Sequence, residues 1–200
     1  TNVVSLKCYA PDGGYPEGYG YWGYGTSFQV MMIAALKSSL NDECGLSESP
    51  GFLNSARFMQ FMVAPSLETF NFSDNNVRIE TNPVLFWFAN KLNDPSLLWL
   101  EMKMLKDKPF KDLDSRLLPC TLIFRAMSKN KRVIEPNYNY WSNRGITPVF
   151  VYKSGWNSKQ DTYLGIKGGS ASASHAHMDA GSFIYEKNGV RWSIAVSYTH

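Results

Sequence analysis

The chain is poor in cysteine, histidine and charge. Cys8, Cys44 and Cys120 are its three thiols. An odd, widely spaced set gives neither a disulfide framework nor the paired CxxC of a zinc motif. All three read as free, buried thiols, and they do not fix a redox compartment. Charged residues make up 18% of the chain and the net charge is +3, with no run of Lys or Arg. That argues against a nucleic-acid-binding protein, although a weakly basic chain still suits an anionic ligand. No apolar stretch approaches the ~18 residues of a membrane span. No leader is visible. The chain opens at Thr1 and reads as though it starts inside a longer protein, so nothing about secretion follows. Internal repeats and low-complexity tracts are also missing.

Aromatic residues, by contrast, are abundant: six Trp, eleven Tyr and twelve Phe in 200 residues, within a hydrophobic content of 44%. This is a globular composition, long enough for one large domain or two small ones. The aromatic excess suits either a large core or a sugar-stacking cleft.

The pattern changes once along the chain. Between residues 26 and 127 it is helical. Thr26 or Ser27 is a candidate N-cap, after which Phe28, Met32, Ala35 and Leu36 follow the spacing of one buried helix face. Further helices are expected at 55–63, at 82–92 with Asn82 as cap and Pro83 at the first position, from Asp94-Pro95 onward, and at about 115–127. Polar loops such as NFSDNN separate them, as in successive helical hairpins. After about Val133, the segments TPVFVYKS, DTYLGIKGG, GSFIYEK and VRWSIAV read as strands. Asn188-Gly189 is a two-residue hairpin signal. Helices followed by strands predict two adjoining domains of different class. Three or four strands do not close a sandwich, so the sheet is expected to be incomplete.

Two segments carry chemistry. PDGGYPEGYGYWGYGTSF (residues 11–28) holds six glycines with Tyr15, Tyr19, Tyr21 and Tyr24. No strand leads into it and bulky rings fill it, which argues against a phosphate-binding glycine loop. It reads either as an aromatic-packed loop capping the first helix, or as a cleft wall. In a cleft wall, glycines let the backbone approach a ligand and a phenol serves as acid or base. The second segment, GGSASASHAHMDAGS (168–182), holds His175, His177 and Asp179. In an extended strand these three side chains share a face, which suits a metal ion or His–Asp proton transfer. In a flexible Ser/Ala loop they form an ordinary solvated turn.

Together, DGGYPEGYGYWGYGTSF, the SDN-containing loop at 73–75 and YLGIKGGSASASHAHMDAGSFIYEKNGVRWSI resemble the heparinase II/III family of polysaccharide lyases, in order and over nearly the whole chain. The resemblance implies an α+β multidomain fold: the C-terminal part of an α/α toroid (1–135) followed by the first strands of an antiparallel β-sandwich (136–200). It further implies β-elimination on an acidic, uronic-acid-containing polysaccharide, heparin/heparan sulfate-like or alginate-like, with Tyr/His acid–base chemistry. The parent protein is expected to be periplasmic or secreted, and the isolated fragment inactive.

Carried over by motif, His175 matches the catalytic histidine and His177 a histidine that binds zinc in some members. The resemblance implies a catalytic tyrosine in the Gly/Tyr segment, for which Tyr21 is the choice and Tyr24 the alternative. Glu17 and Trp22 are substrate-binding candidates. Relatives place an Asp of the zinc site after a WxI or WxV motif. Here Trp192, Ser193 and Ile194 are followed by Ala195, so a structural zinc, which usually takes four ligands, has an incomplete set. Arg144, Trp156 and Arg191 read as surface or packing residues. The competing classes are a non-catalytic carbohydrate-binding protein of lyase ancestry and a purely structural scaffold.

Overall fold

The computed structural model describes residues 5–107, 117–127, 132–169 and 179–193. Five α-helices precede a five-stranded antiparallel sheet among them: α1 (Gly18–Leu40), α2 (Ser55–Phe61), α3 (Val84–Leu92), α4 (Trp99–Asp107), α5 (Pro119–Met127), then β1 (Tyr140–Ser142), β2 (Val149–Lys153), β3 (Tyr163–Lys167), β4 (Phe183–Lys187) and β5 (Val190–Ser193). Helices first and an antiparallel sheet second is the α+β class expected.

Compactness divides the chain differently from the change of element type near residue 135. One unit gathers Thr1–Trp22, Leu46–Ile79 and Tyr138–His200; the other gathers Gly23–Gly45 and Glu80–Asn137. The division falls within α1, between Trp22 and Gly23.

In the first unit the strands form a meander in sequence order. Trp141, Val151, Gly165 and Ile184 lie in register across β1 to β4. The side chains of Trp141, Val151 and Ile184 are buried. Their face packs on aromatic residues from 46–79. Phe58 meets Trp141 edge-on at 5.3 Å, and Phe70 lies so close that a Cβ at Gly165 would come within 2.7 Å of its ring. The same sheet face buries Lys153, Lys167 and Glu186, and each charge is compensated, as burial demands. Lys153 Nζ lies 3.8 Å from the centroid of the Trp156 ring and donates to the Gln60 carbonyl. Lys167 pairs with Asp179. Glu186 accepts from Arg191 Nε at 2.5 Å and from Ser66 Oγ at 2.9 Å. Arg191 also donates to the Thr69 carbonyl. Trp156 and Arg191 are therefore packing residues.

Asn188 and Gly189 both adopt positive φ, 54° and 75°, as a type I′ hairpin requires, and join β4 to β5. β1 is an additional strand, in a stretch where no strand is expected.

In the second unit, α3 buries Val84 through Ala89 and ends at Asn93 in the left-handed conformation, an Asn-type C-cap. Asp94 caps the 3₁₀ turn Pro95–Leu98 by accepting from Ser96 N–H, the expected start signal. Pro83, expected at the first helical position, holds the N-cap position of α3 in place of Asn82. Glu101 is fully buried and accepts from the Asn82 N–H at 2.9 Å. Its other oxygen has no hydrogen-bond partner among the described residues. Burial pushes its carboxyl up to about 7, an effect that the Asn82 bond moderates.

Two expectations about α1 are corrected. The helix begins at Gly18, so Thr26 and Ser27 are interior positions, both buried, and neither is an N-cap. The buried side carries Trp22, Val30 and Ile33, whereas Phe28 and Met32 are 45% and 39% exposed. The helix is apolar on both sides, so periodicity alone selects the wrong one.

Candidate functional site

The Gly/Tyr segment is a turn that enters a helix, rather than a loop ahead of one. Gly18, with φ +80°, bonds back to the Tyr15 carbonyl at 3.2 Å. A helix start leaves backbone N–H groups without intrahelical partners. Asn75 satisfies one from 55 residues away: its Oδ1 accepts from Gly20 N–H at 2.9 Å. A Cβ at Gly20 would lie 2.8 Å from that same oxygen, so glycine is required for the approach. Ser73 Oγ reaches the Pro16 carbonyl at 3.4 Å. The SDN loop thus fastens the segment at two points.

The turn sorts its aromatic residues. Tyr19 is 3% exposed and Trp22 is fully buried, while Tyr21 is 40% exposed. Trp22 therefore belongs to the core, which corrects its expected place on a sugar-contacting wall. Tyr24, in the part of α1 assigned to the second unit, is 53% exposed and its ring meets Phe28 at 5.0 Å. Tyr21 and Tyr24 are thus the solvent-facing phenols of α1. Tyr15 is unsuited to proton transfer: burial first, then the charges of Cys8 and Glu17, push its hydroxyl above the usual range. Burial, followed by Glu17, pushes the Cys8 thiol up to about 12, which makes it a poor nucleophile. Glu17 is half-buried and acts electrostatically on both of these groups.

His175 and His177 lie outside the described residues. The described edges of their segment are tied down. Lys167, 3% exposed, forms an ion pair with Asp179. Lys167 N–H donates to the Ser182 carbonyl, and Gly181 N–H donates to the Lys167 carbonyl. Asp179 is engaged by a lysine, which argues against it as a metal ligand. Among the described residues no group of three or more His, Cys, Asp or Glu is placed to hold a metal ion; Cys8 and Cys120 are half-buried and Cys44 is exposed, which corrects the expectation of buried thiols.

Asn75, Asn143 and Lys167 contact Gly20, Gly14 and Asp179 in these two segments, and none of the three is a candidate from the sequence. Only Asn75 had a signal, its membership of the SDN motif. The partners of the other two are distant in sequence or set by loop geometry.

The fold is one found in heparan sulfate-degrading enzymes. The chain is similar to a crystal structure of heparinase III, with TM-score 0.60 and 17% identity over 95% of this chain and 28% of that one. It is likewise similar to a mutant of the heparan sulfate lyase HepC from Pedobacter heparinus, with TM-score 0.58 and 15% identity over 95% of this chain and 26% of that one. A heparinase III gene product with methylated lysines matches at TM-score 0.56 and 18% identity, over 94% and 25%. The chain thus spans about a quarter of the length of these structures. No protein-family profile matches its sequence, and no curated protein matches it.

Proposed function

We propose that the chain is the acid–base-bearing part of a polysaccharide lyase that cleaves a uronic-acid-containing polysaccharide, heparin/heparan sulfate-like or alginate-like, by β-elimination. The observation that carries this reading is the likeness of nearly the whole chain to heparinase III and heparan sulfate lyase structures. The solvent-facing Tyr21 supports it, at the helix start fastened by Asn75.

The chemistry follows from the substrate. A base removes the proton at C5 of the uronate, charge develops on its carboxylate, a C4–C5 double bond forms, and the C4–O bond breaks. An acid returns a proton to the leaving glycosidic oxygen. In this reading His175 takes the C5 proton and Tyr21 protonates the leaving oxygen, with Tyr24 as the alternative phenol. Donors that neutralise the developing dianion belong to parts of the parent protein outside this chain. Glu17 lies at the cleft margin, His177 serves a supporting site for zinc, and the parent acts in the periplasm or outside the cell.

The test is the full-length parent incubated with heparan sulfate, heparin and alginate, with the ultraviolet absorbance of unsaturated uronate as readout. Product from at least one polymer supports elimination. Tight binding of a polymer without product would instead mark a carbohydrate-binding protein of lyase ancestry.

A further inference from the structure

Two described stretches border the chemistry-bearing segments. Asp12–Gly14 leads into the Gly/Tyr turn, and Gly168–Gly169 opens onto the segment that carries His175 and His177. The connection between β1 and β2, residues 143–148, touches both. On one side, Arg144 N–H donates to the two carboxylate oxygens of Asp12, at 3.2 and 3.0 Å. Gly14 lies flat on Asn143, so that a Cβ there would come within 2.0 Å of the amide nitrogen. On the other side, Gly168 N–H donates to the Pro148 carbonyl at 2.7 Å. Gly169, at φ +100°, is close enough that a Cβ would meet Pro148 Cδ at 3.2 Å.

Asn143 makes this connection a fixed body. It is 5% exposed. Its Nδ2 donates to the Thr147 carbonyl at 3.0 Å, and its Oδ1 accepts from Val149 N–H at 2.7 Å. One side chain therefore closes the connection on itself and also presents the surface on which Gly14 rests. The carbonyl that receives Gly168 N–H belongs to Pro148, between the two residues that Asn143 holds.

We infer that Asn143 is a positioning residue: it fixes Asp12–Gly14, which leads into the tyrosine-bearing segment, relative to Gly168–Gly169, which leads toward His175 in sequence. The inference rests on the lyase reading for its kinetic consequence and on the hydrogen bonds alone for its mechanical one. Two proton transfers on one sugar tolerate little misplacement, and an error of about 1 Å costs up to ~100-fold in rate.

The experiment uses the full-length parent and three variants: Asn143→Ala, Gly14→Ala and the double variant. Each single variant is expected to lower kcat by roughly ten- to a hundredfold with KM for the polysaccharide nearly unchanged. In the double variant the amide that the new methyl would strike at 2.0 Å is gone, and the clash that remains is the milder one with the Cβ of residue 143 at 2.9 Å. The two losses should therefore combine to less than their product. Multiplying losses, or a lower melting temperature with kcat intact, would overturn the inference. If the unmodified parent yields no unsaturated product, the lyase reading fails, and hydrogen–deuterium exchange on the same proteins decides the positioning role. Asn143→Ala must then raise exchange in residues 12–18 and 166–169 together; a change in only one stretch, or in neither, refutes it. Should Asn143→Ala not fold, Asn143→Ser removes the same nitrogen and replaces it in every arm.

Discussion

Tyr21 and Tyr24 both reach solvent from one helix, and a single phenol suffices for the proposed proton transfer. A positioned acid or base is worth roughly 100- to 10,000-fold in rate. In the full-length parent, Tyr21→Phe is therefore expected to lose activity on that scale, while Tyr24→Phe stays within about threefold. Steady-state kinetics on the two variants checks this, and the reverse order would exchange their roles. By the same argument His175→Ala abolishes elimination, whereas His177→Ala lowers the melting temperature and zinc content more than turnover. Glu101 offers a different test. Its folded-state carboxyl, raised to about 7, lies above that of the unfolded chain. The stability it contributes is fully present below the unfolded value near 4.5 and is lost as pH rises toward 7. A gap of that size is worth roughly 3 kcal/mol at full ionisation. Glu101→Gln, which can still accept from Asn82 N–H, should flatten that part of the stability–pH profile in denaturant titrations from pH 4 to 8. An unchanged slope would count against the effect. At this scale residue type was legible and environment was not. The family resemblance marks Tyr21 as a candidate, but only the fold separates it from buried Trp22 and brings Asn75 to Gly20, a pairing that no local pattern shows.

Elements were more legible than residues where the signal was local. Asn188-Gly189 sets its own turn, and Asp94 caps its own 3₁₀ segment, so both are readable from a few neighbouring letters. The start of α1 was not, because Gly18, Gly20, Gly23 and Gly25 weaken intrinsic helix preference and the compensating acceptor comes from Asn75. β1 was missed for a similar reason: Tyr140–Ser142 is short, and pairing with β2 makes it a strand. The sheet yields its own prediction. Gly165 is the one position in the row Trp141, Val151, Gly165, Ile184 without a side chain, because Phe70 fills that place. Gly165→Ala is expected to destabilise the protein by about 1–3 kcal/mol through overpacking, measurable by chemical denaturation. A neutral result would mean that Phe70 moves aside at no cost.

For the whole molecule, the chain spans about a quarter of the heparinase III and heparan sulfate lyase structures it resembles. The outer sheet face shows Tyr140, Phe150, Tyr152, Ile166 and Phe183, all between 38% and 69% exposed. Apolar exposure of this kind favours association. The 200-residue chain on its own is expected to self-associate in light scattering and to yield no unsaturated uronate, whereas the full-length parent does yield it. Robust product from the isolated piece would show that the catalytic set is complete within these residues.

The first compact unit is assembled from three separate lengths of chain, the last beginning at Tyr138. During synthesis, residues 46–79 emerge well before the strands that cover them. Phe58, Phe61 and Phe70 must wait, uncovered, until the ribosome has delivered β1 to β4. Contacts so distant in sequence form late and slowly, and the exposed aromatic surface in the meantime invites chaperone capture. A translational pause placed between residues 80 and 137 would prolong that wait, and one placed after β5 would not.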